Sequence, residues 1–309
     1  MERHLVWLDC DTGTDDAAAI LCANALPELE IVAISAVAGN VELEKTYRNA
    51  LRLNRLMGTN YPVYRGADRP WVQPLHTGCR YHGENGLGGV ELPLPDSYPA
   101  TTEPAWDALY RTAKALDGRL ELIATGPLTN VGTALMKYPS LPKLLRRIVL
   151  MGGSATVGNR TPAAEYNLYA DPHAAQAVFR SGIPLTMCGL DVTNRAVFTE
   201  EDLLRIGAKG TPAARLFRDA LMTPLHAQTG GAGVRLHDAV AVLYAARPAL
   251  FSGQPAGVYV ETQGTVTLGK TVTDLWSDKK FPEKNAFVVL DLDRDAFVRT
   301  VQSLIWSYS

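Results

Sequence analysis

The chain of 309 residues contains few cysteines, and no two of them form a Cys-x-x-Cys pair. It also has no run of about 18 apolar residues and no long apolar segment near its start, so we expect neither a membrane span nor a secretory signal. The scattered thiols argue against a disulfide framework and predict a cytoplasmic protein with reduced cysteines. They are Cys10, Cys22, Cys79 and Cys188.

Neither positive nor negative charge is in clear excess. Lys and Arg total 30 and Asp and Glu total 32, which gives a formal charge of -2. Without a strong basic field, we expect no nucleic-acid partner and no binding to an anionic membrane surface. Hydrophobic residues make up 47% and charged residues 20%. This is ordinary globular composition, which excludes disordered and collagen-like chains.

Apolar segments that suit buried strands alternate with segments of helical pattern. Such an alternation predicts an α/β fold, with a mostly parallel central sheet flanked by helices in a Rossmann-like open arrangement. We expect one domain over residues 1–309, with a small antiparallel extension at 258–290 and a closing helix at 293–308. The predicted strands are 5–8, 31–37, 120–124, 147–151 and 184–188. The predicted helices are 15–26, 42–57, 130–136, 172–180 and 239–246.

Two segments, 70–99 and 223–234, are rich in glycine, proline or polar residues. They are long enough to be loops over a ligand site. In open α/β sheets, ligands bind beyond the carboxyl ends of the strands. The polar residues that follow each predicted strand are therefore candidates for function.

A cluster of acids follows the first predicted strand. It consists of Asp9, Asp11, Asp15 and Asp16, with Gly13 permitting a tight turn. Crowded carboxylates repel one another, and a bound cation is the simplest compensation. Oxygen ligands favour a hard ion, Ca²⁺ or Mg²⁺, over zinc. The alternative is that the last two acids stabilise the helix start while the first two are solvated turn residues.

The cluster departs from two familiar motifs. An EF-hand loop counted from Asp9 would need Asp or Asn at its fifth position and Glu at its twelfth, but Gly13 and Ile20 stand there. A phosphatase with Asp9 as its nucleophile would also begin with Asp-x-Asp after a first strand. Such enzymes usually have Thr where Gly13 stands, and no phosphate-clamping Lys motif is evident, so this hypothesis is weakened but stays open.

The acidic segment resembles the Asp-x-Asp-Pro-Gly-x-Asp-Asp signature of the calcium-dependent nucleoside hydrolases, which cleave the N-glycosidic bond of ribonucleosides. Thr12 stands where that family usually has Pro, which should loosen the turn without removing a ligand. Further matches follow in family order and together are highly specific. They are Val-Ala-Gly-Asn at 37–40, His-Gly-Glu-Asn-Gly at 82–86, Thr-Gly-Pro-Leu-Thr-Asn at 125–130, Met-Gly-Gly at 151–153, Glu-Tyr-Asn at 165–167 and His-Asp at 237–238.

The resemblance implies a Ca²⁺ site. Its ligands would be Asp11, Asp16, Asp238 and the backbone carbonyl of Thr125, with ribose hydroxyls and a water completing the shell. Asp11 would also act as the general base that takes a proton from the water. Taken alone, Asp238 is more typical of a helix N-cap than of a metal ligand, and Thr125 of an ordinary strand-to-turn residue.

The resemblance also assigns the ribose contacts. Asp15 and Asn167 would bind the 2′ and 3′ hydroxyls, and Asn159 and Glu165 the 5′ hydroxyl. Without the resemblance, any one of these asparagines could equally be a turn residue. Two further substrate contacts are implied: Asn40, which orients Asp11 or approaches the base, and Met151, which packs under the sugar.

Four of the histidines lie in or near the candidate loops and motifs: His76, His82, His226 and His237. The spacing of His76, Cys79 and His82 suggests zinc, but this segment offers no fourth ligand. By resemblance, His82 belongs to the base pocket, and His237 protonates or hydrogen-bonds the leaving base. His226 has no counterpart in the family pattern.

Together these residues predict an N-glycosyl hydrolase that converts ribonucleosides to ribose and free base. The resemblance implies a homodimer or homotetramer that acts on a small-molecule ribonucleoside. Two alternatives stay open at this point: the phosphatase, and a non-catalytic calcium-dependent sugar-binding module.

Overall fold

The computed structural model describes residues 3–98, 101–227, 233–276, 281 and 283–309. Its centre is a nine-stranded sheet with the order β10-β9-β11-β6-β5-β4-β1-β2-β3. The strands are β1 His4–Cys10, β2 Leu29–Ala36, β3 Val63–Arg65, β4 Leu120–Ala124, β5 Leu145–Met151, β6 Leu185–Cys188, β9 Phe251–Val260, β10 Thr271–Asp274 and β11 Ala286–Leu292. The short strands β7 Val197–Phe198 and β8 Val234–Arg235 form a separate antiparallel pair.

Helices cover both faces of this sheet. Short 3₁₀ turns lie at Leu141–Lys143 and Pro248–Leu250. The helices are α1 Thr14–Ala25, α2 Leu43–Met57, α3 Cys79–His82, α4 Ala105–Leu116, α5 Thr129–Lys137, α6 Tyr166–Ala170, α7 Pro172–Phe179, α8 Leu190–Thr193, α9 Glu200–Gly207, α10 Pro212–Ala227, α11 His237–Ala246 and α12 Arg294–Trp306.

The strand pairing confirms the predicted fold class. Neighbouring strands from β3 to β6 are parallel, and β11 is parallel to β6. The antiparallel pairs β9–β11 and β9–β10 form the predicted extension near the C-terminus. Because β1 lies between β2 and β4, the chain reverses its direction of winding there. Such a reversal opens a crevice at the carboxyl ends of the strands on either side.

Side chains of β1 enter two different hydrophobic clusters. Val6, Leu8 and Cys10 point to the face that packs against α1, whereas Trp7 points to the other face. The alternation follows from the two-residue period of a strand. Helix α1 is buried over nearly its whole length, because it packs against α2, α10, α11 and α12 as well as the sheet. Most of its alanines are buried and allow this close packing.

The prediction of one loop is partly wrong. The segment 223–234 was expected to be irregular, but α10 continues to Ala227. Pro224 lies inside this helix and is buried with Leu221 and Ala220, so the buried face continues through it. Tertiary packing here outweighs the helix-breaking tendency of proline. Residues 228–232 of that segment, and residues 99, 277–280 and 282 of the other predicted segments, lie outside the described residues.

In the part of the chain that the structure describes, no helix is both long and apolar enough to span a membrane.

Candidate active site

A cavity of about 840 Å³ opens at the carboxyl ends of β1 and β4. It lies where the order of the strands reverses, which is the expected place for a ligand in an open α/β sheet. All the residues predicted to form the site line it, except Asp16, which is fully buried behind the cavity wall. The lining residues are Asp11, Asp15, Asn40, His82, Thr125, Met151, Asn159, Glu165, Asn167, His237 and Asp238.

Three carboxylates meet at the base of this cavity. Asp15 and Asp16 come from the first turn of α1, and Asp238 from the first turn of α11. Each offers an oxygen atom, and the three atoms lie within 4.8 Å of one another. Asp238 is the second residue of its helix, and the N-cap is Leu236, so its interpretation as an N-cap is wrong. Its carboxylate is directed to other acids instead of to the backbone of its own helix.

Asp11 lies beside this cluster in a close-fitting pocket of backbone. Its Oδ2 accepts the backbone N–H of Asn40 at 2.8 Å. A Cβ atom on Gly126 would lie 2.8 Å from Asp11 Oδ1, and one on Gly39 would overlap its carboxylate. Both positions therefore require glycine, because any side chain would displace the carboxylate. The backbone N–H of Asn40 thus helps to hold the carboxylate of Asp11 in place.

Asp16 is held by three hydrogen bonds from three segments. Its Oδ1 accepts the hydroxyl of Thr125 at 2.7 Å. Its Oδ2 accepts the backbone N–H of Gly13 at 2.9 Å and the side-chain amide of Asn40 at 3.1 Å. These contacts fix the carboxylate at the junction of β1, β2 and β4. Thr12, at the position where the resembled family usually has Pro, is fully buried in the same turn.

Burial and mutual repulsion raise the pKa values of these acids. Burial raises the pKa of Asp15 to about 6. Burial and the charge of Asp16 raise the pKa of Asp11 well above its usual range. For Asp238, burial and the charges of Asp15 and Asp16 have the same effect. A set of buried anions at this spacing needs a positive charge to be stable at neutral pH.

These residues fit a divalent cation. The donors are all oxygens, as hard cations require. Among the described residues, Asp15 Oδ1 is a buried oxygen atom with no hydrogen-bond partner, so it is free to act as a ligand. The acidic cluster can therefore hold a metal ion.

Asp9 faces a different environment from Asp11. Its Oδ1 accepts hydrogen bonds from the hydroxyl of Ser35 and from the amide of Asn130, the latter at 2.7 Å. Burial, opposed by these hydrogen bonds, raises its pKa to about 6. Asp9 does not line the cavity. Its geometry gives no support to the hypothesis that it is a phosphatase nucleophile.

Asn167 and Met151 form the wall next to the carboxylates. The amide of Asn167 donates to the carbonyl of Thr125 at 2.7 Å and to the carbonyl of Met151 at 3.1 Å. Met151 ends β5 and is 4% exposed. The carbonyl of Thr125 thus points to the same side of the cavity as Asn167. Its role as a metal ligand stays a prediction.

Glu165 lines the cavity and caps the start of helix α6. Its carboxylate accepts the backbone N–H groups of Gly153, Asn167 and Leu168 at 2.9, 3.0 and 3.2 Å. Burial, opposed by these hydrogen bonds, raises its pKa to about 7. Nearby, Asn159 accepts the backbone N–H of Tyr166 at 2.9 Å through its side-chain oxygen.

His82 ends the short helix α3. Its Nδ1 accepts the backbone N–H of Thr14 at 3.2 Å and lies 3.8 Å from Oδ1 of Asp15. Burial, opposed by the charge of Asp16, lowers the pKa of His82 to about 4. The ring is therefore neutral at pH 7. With Nδ1 as an acceptor, its Nε2 carries the proton and can donate to a ligand.

His237 begins helix α11, directly before Asp238. Its Nδ1 lies 2.8 Å from the hydroxyl of Thr193. Burial lowers its pKa to about 4, and the charges of Arg235 and His82 contribute to this decrease. A neutral imidazole that lines the cavity is suited to hydrogen-bond a bound base.

The zinc hypothesis gains no support. Among the described residues, the only group of three potential ligands is the acidic cluster, so His76, Cys79 and His82 do not form one. His226 lies in the last turn of α10 and does not line the cavity. All four cysteines are free, and Cys79 alone is not buried.

The cavity also contains residues that sequence reasoning missed. Tyr166 stands between two predicted residues, and its hydroxyl donates to the carbonyl of His76 at 2.7 Å. Asn194 follows the short helix α8 and not a strand end, so the rule for strand ends does not find it. Arg235 precedes His237 by two residues, but no motif marks it. The other missed residues include Thr14, Arg80, Tyr81, Arg160, Leu190, Leu221 and Pro224.

Proteins of known family also combine an open α/β sheet with an acidic cavity at the place where the strand order reverses. The family model described as inosine-uridine preferring nucleoside hydrolase matches residues 6–299. The chain belongs to this family.

Similar proteins cover the chain almost completely. The non-specific ribonucleoside hydrolase RihC of Klebsiella pneumoniae is 42% identical over 303 residues, which are 98% of each chain. The pyrimidine-specific ribonucleoside hydrolase RihA of a Shewanella species is 42% identical over 96% of this chain and 94% of its own. Among solved structures, a purine-preferring ribonucleoside hydrolase from Gardnerella vaginalis has a TM-score of 0.92 and 33% identity, with 98% of each chain covered.

Proposed function

We propose that this protein hydrolyses the N-glycosidic bond of ribonucleosides and releases ribose and the free base. The observation that carries the proposal is the cavity at the carboxyl ends of β1 and β4, which brings buried carboxylates together with amide and imidazole groups. The family of the chain, and the hydrolase names of its similar proteins, support the same activity. Residues 1–309 would act as one domain, since the family match extends over 6–299.

The proposed metal is Ca²⁺, held by Asp11, Asp16, Asp238 and the carbonyl of Thr125. The all-oxygen donor set and the room for additional ligands in the cavity favour Ca²⁺ over Mg²⁺, which demands a small octahedral site. The grouping of Asp15 with Asp16 and Asp238 makes Asp15 a further candidate ligand. When bound, the ion would offset the carboxylate charges, help to bind the ribose and polarise a water molecule.

The general base in this proposal is Asp11. Asn40 and the two glycines hold its carboxylate on the cavity side of the turn. It would take one proton from the water whose oxygen bonds to C1′ of the ribose. As that bond forms, the bond from C1′ to the base nitrogen breaks, and its electron pair leaves with the base. The sugar develops oxocarbenium character on the way, as in other glycoside hydrolyses.

The ribose hydroxyls require polar partners when they are buried. Asp15 and Asn167 are proposed to bind the 2′ and 3′ hydroxyls, because Asp15 belongs to the carboxylate cluster and Asn167 lies against Thr125 in the same cavity. Asn159 and Glu165, which line the same cavity, are proposed to bind the 5′ hydroxyl. Met151 would pack under the sugar. A 2′-deoxyribonucleoside would leave buried polar groups unpaired, so we expect it to be a poor substrate.

The leaving base is assigned to the side of the cavity that holds His237 and His82. His237 is proposed to hydrogen-bond the base nitrogen that gains the electron pair. Its lowered pKa favours a neutral donor at pH 7 over an imidazolium ion. His82, through its Nε2–H, would be a second contact to the base.

A turnover assay tests the proposal. Purified protein is incubated with inosine and with uridine, each with calcium or with an excess of chelator, and ribose is measured as a reducing sugar. We expect release of ribose and base in calcium and its loss in chelator. Binding without turnover would indicate a sugar-binding module instead. Release of phosphate from phosphate esters, sensitive to substitution of Asp9, would indicate a phosphatase.

Two further properties belong to this proposal. The family resemblance favours a homodimer or homotetramer, which light scattering after size-exclusion chromatography would measure. The four free cysteines favour a cytoplasmic location. Fractionation of cells that express the protein would test it.

A further inference from the structure

The connection between β5 and α6 carries two residues of the site. Asn159 and Glu165 belong to it, and both line the cavity. The part from 154 to 165, named the sugar loop here, has no helix or strand, and Asn159 is exposed. A loop can hold a side chain in place for a ligand only if it is itself anchored.

Asp191 anchors the beginning of the sugar loop. This residue lies in α8, just after β6, and it does not line the cavity. Its Oδ2 accepts the backbone N–H of Ala155 at 2.7 Å, and its Oδ1 accepts the hydroxyl of Thr156 at 2.7 Å. The hydroxyl of Ser154 lies 3.4 Å from the same Oδ1. One carboxylate therefore contacts three successive residues of the loop.

The hairpin of β9 and β10 holds the same residues from a second element. Lys270 Nζ donates to the carbonyls of Ser154 and Thr156 at 3.2 and 3.1 Å. Thr271 Oγ1 accepts the N–H of Ser154 and donates to its carbonyl, both at 2.7 Å. The loop thus begins between an anion that accepts its N–H and hydroxyl groups and a cation that donates to its carbonyls. Hydrogen bonds to charged groups are the stronger ones.

We propose that Asp191 is a positioning residue that holds the sugar loop so that Asn159 and Glu165 meet the 5′ end of the substrate, with Lys270 supporting it. This inference rests on the proposed function, in which those two residues bind the 5′ hydroxyl. Asp191 does not touch the substrate in this account. It therefore affects the recognition of the 5′ hydroxyl and leaves the acidic cluster unchanged.

The test compares inosine with 5′-deoxyinosine, which lacks the hydroxyl in question. The proteins are the full chain, Asp191→Ala, Asp191→Asn and the control Asp295→Asn, which removes an exposed acid of α12 that pairs with Arg294. The full chain should prefer inosine by about tenfold or more in kcat/KM. Asp191→Ala should lower kcat/KM for inosine by about tenfold, mainly through KM, and that for 5′-deoxyinosine by less than about twofold.

The asparagine variant should be intermediate. Its oxygen can accept the N–H of Ala155, while its amide meets the hydroxyl of Thr156, which can rotate to accept. Lys270→Met should also lower kcat/KM more for inosine than for 5′-deoxyinosine, by a smaller factor than Asp191→Ala. This second variant tests the proposal if Asp191→Ala does not fold. The control should match the full chain on both substrates.

An equal loss on both substrates, or no loss on either, would contradict the positioning role while leaving the proposed function intact. So would a full chain that hydrolyses both substrates equally well, because the 5′ hydroxyl would then have no recognised partner. A full chain that hydrolyses neither substrate in calcium would contradict the proposed function itself, and this inference with it.

Discussion

The hydroxyl of Thr125 donates to Oδ1 of Asp16 at 2.7 Å, and this hydrogen bond joins the end of β4 to the first turn of α1. Both residues are proposed metal ligands, Asp16 through its carboxylate and Thr125 through its backbone carbonyl. The side chain of Thr125 therefore orients one ligand while its main chain supplies another. Partners that orient a ligand typically change metal affinity by about 10–100-fold when they are removed.

Because of this hydrogen bond, substitutions of Asp16 and of Thr125 should affect calcium binding differently. Asp16→Ala removes a ligand and should abolish calcium binding and activity together. Thr125→Val keeps the carbonyl and the shape of the side chain but loses the hydroxyl, so calcium affinity should fall by about tenfold or more while activity returns at high calcium. Titration calorimetry on chelator-treated protein measures both affinities.

Metal analysis of the purified full chain accompanies this experiment. Fully active protein free of metal would contradict the calcium site, and so would one zinc per chain. Equal affinities in Thr125→Val and the full chain would show that the hydroxyl does not orient Asp16.

The second prediction concerns the general base, Asp11. Asp11→Asn can still accept the N–H of Asn40 through its side-chain oxygen, but its amide cannot take a proton from water. Loss of general-base catalysis typically costs about 10²–10⁴ in rate, so kcat on inosine should fall by that factor with a smaller change in KM. Steady-state kinetics at saturating calcium checks it. A kcat close to that of the full chain would assign the base to another residue.

The third prediction concerns the leaving group. His237→Ala should slow the hydrolysis of inosine far more than that of p-nitrophenyl riboside, because the activated phenol needs little help to leave. The ribose contacts are the same in both substrates, so the comparison isolates the base side of the cavity. Kinetics of both substrates with His237→Ala and with His82→Ala measures the difference. Equal losses on the two substrates would place His237 in binding or folding.

The fourth prediction concerns Glu165 and pH. Burial raises its pKa from 4.5 to about 7, so the folded protein binds this proton more tightly than the unfolded chain. Its contribution to stability is therefore complete below about pH 4.5 and is lost as the pH rises through about 7. Over that range the free energy of unfolding should fall by about 3 kcal/mol more in the full chain than in Glu165→Gln.

Urea unfolding at pH 4.5 and pH 8, with chelator present in every sample, measures these changes. Comparing each protein with itself at the two pH values removes any constant loss of stability in the variant. The same pH dependence in both proteins would show that Glu165 titrates with an ordinary pKa.

Local sequence determined the framework of the fold. The strand at Leu120–Ala124 has the predicted bounds, and α1 and α2 begin within one residue of the expected positions. Apolar strands that alternate with helices can bury their surfaces in few ways, so the parallel sheet follows from the pattern. The position of Asp11, Asp15 and Asp16 at the end of β1 follows as well, because residues of one short segment are necessarily neighbours.

Apart from the family resemblance, which named Asp238, only the tertiary structure decided which acids lie together. Asp238 comes from α11, and the packing of α11 against α1 brings it to Asp15 and Asp16. Asp9 and Asp11 are two residues apart and looked equivalent in sequence. Because β1 ends at Cys10, Asp9 keeps the orientation of the strand toward Ser35 and Asn130, while Asp11 lies in the turn and lines the cavity.

The environment of the histidines and the extent of α10 were also decided by packing. A pKa near 6.5 is expected for an exposed histidine, but burial lowers those of His82 and His237 to about 4. Pro224 would end a helix by local propensity, yet α10 continues through it with a buried face. In each case the deciding quantity is solvent exclusion by residues far along the chain, which no local pattern of residues records.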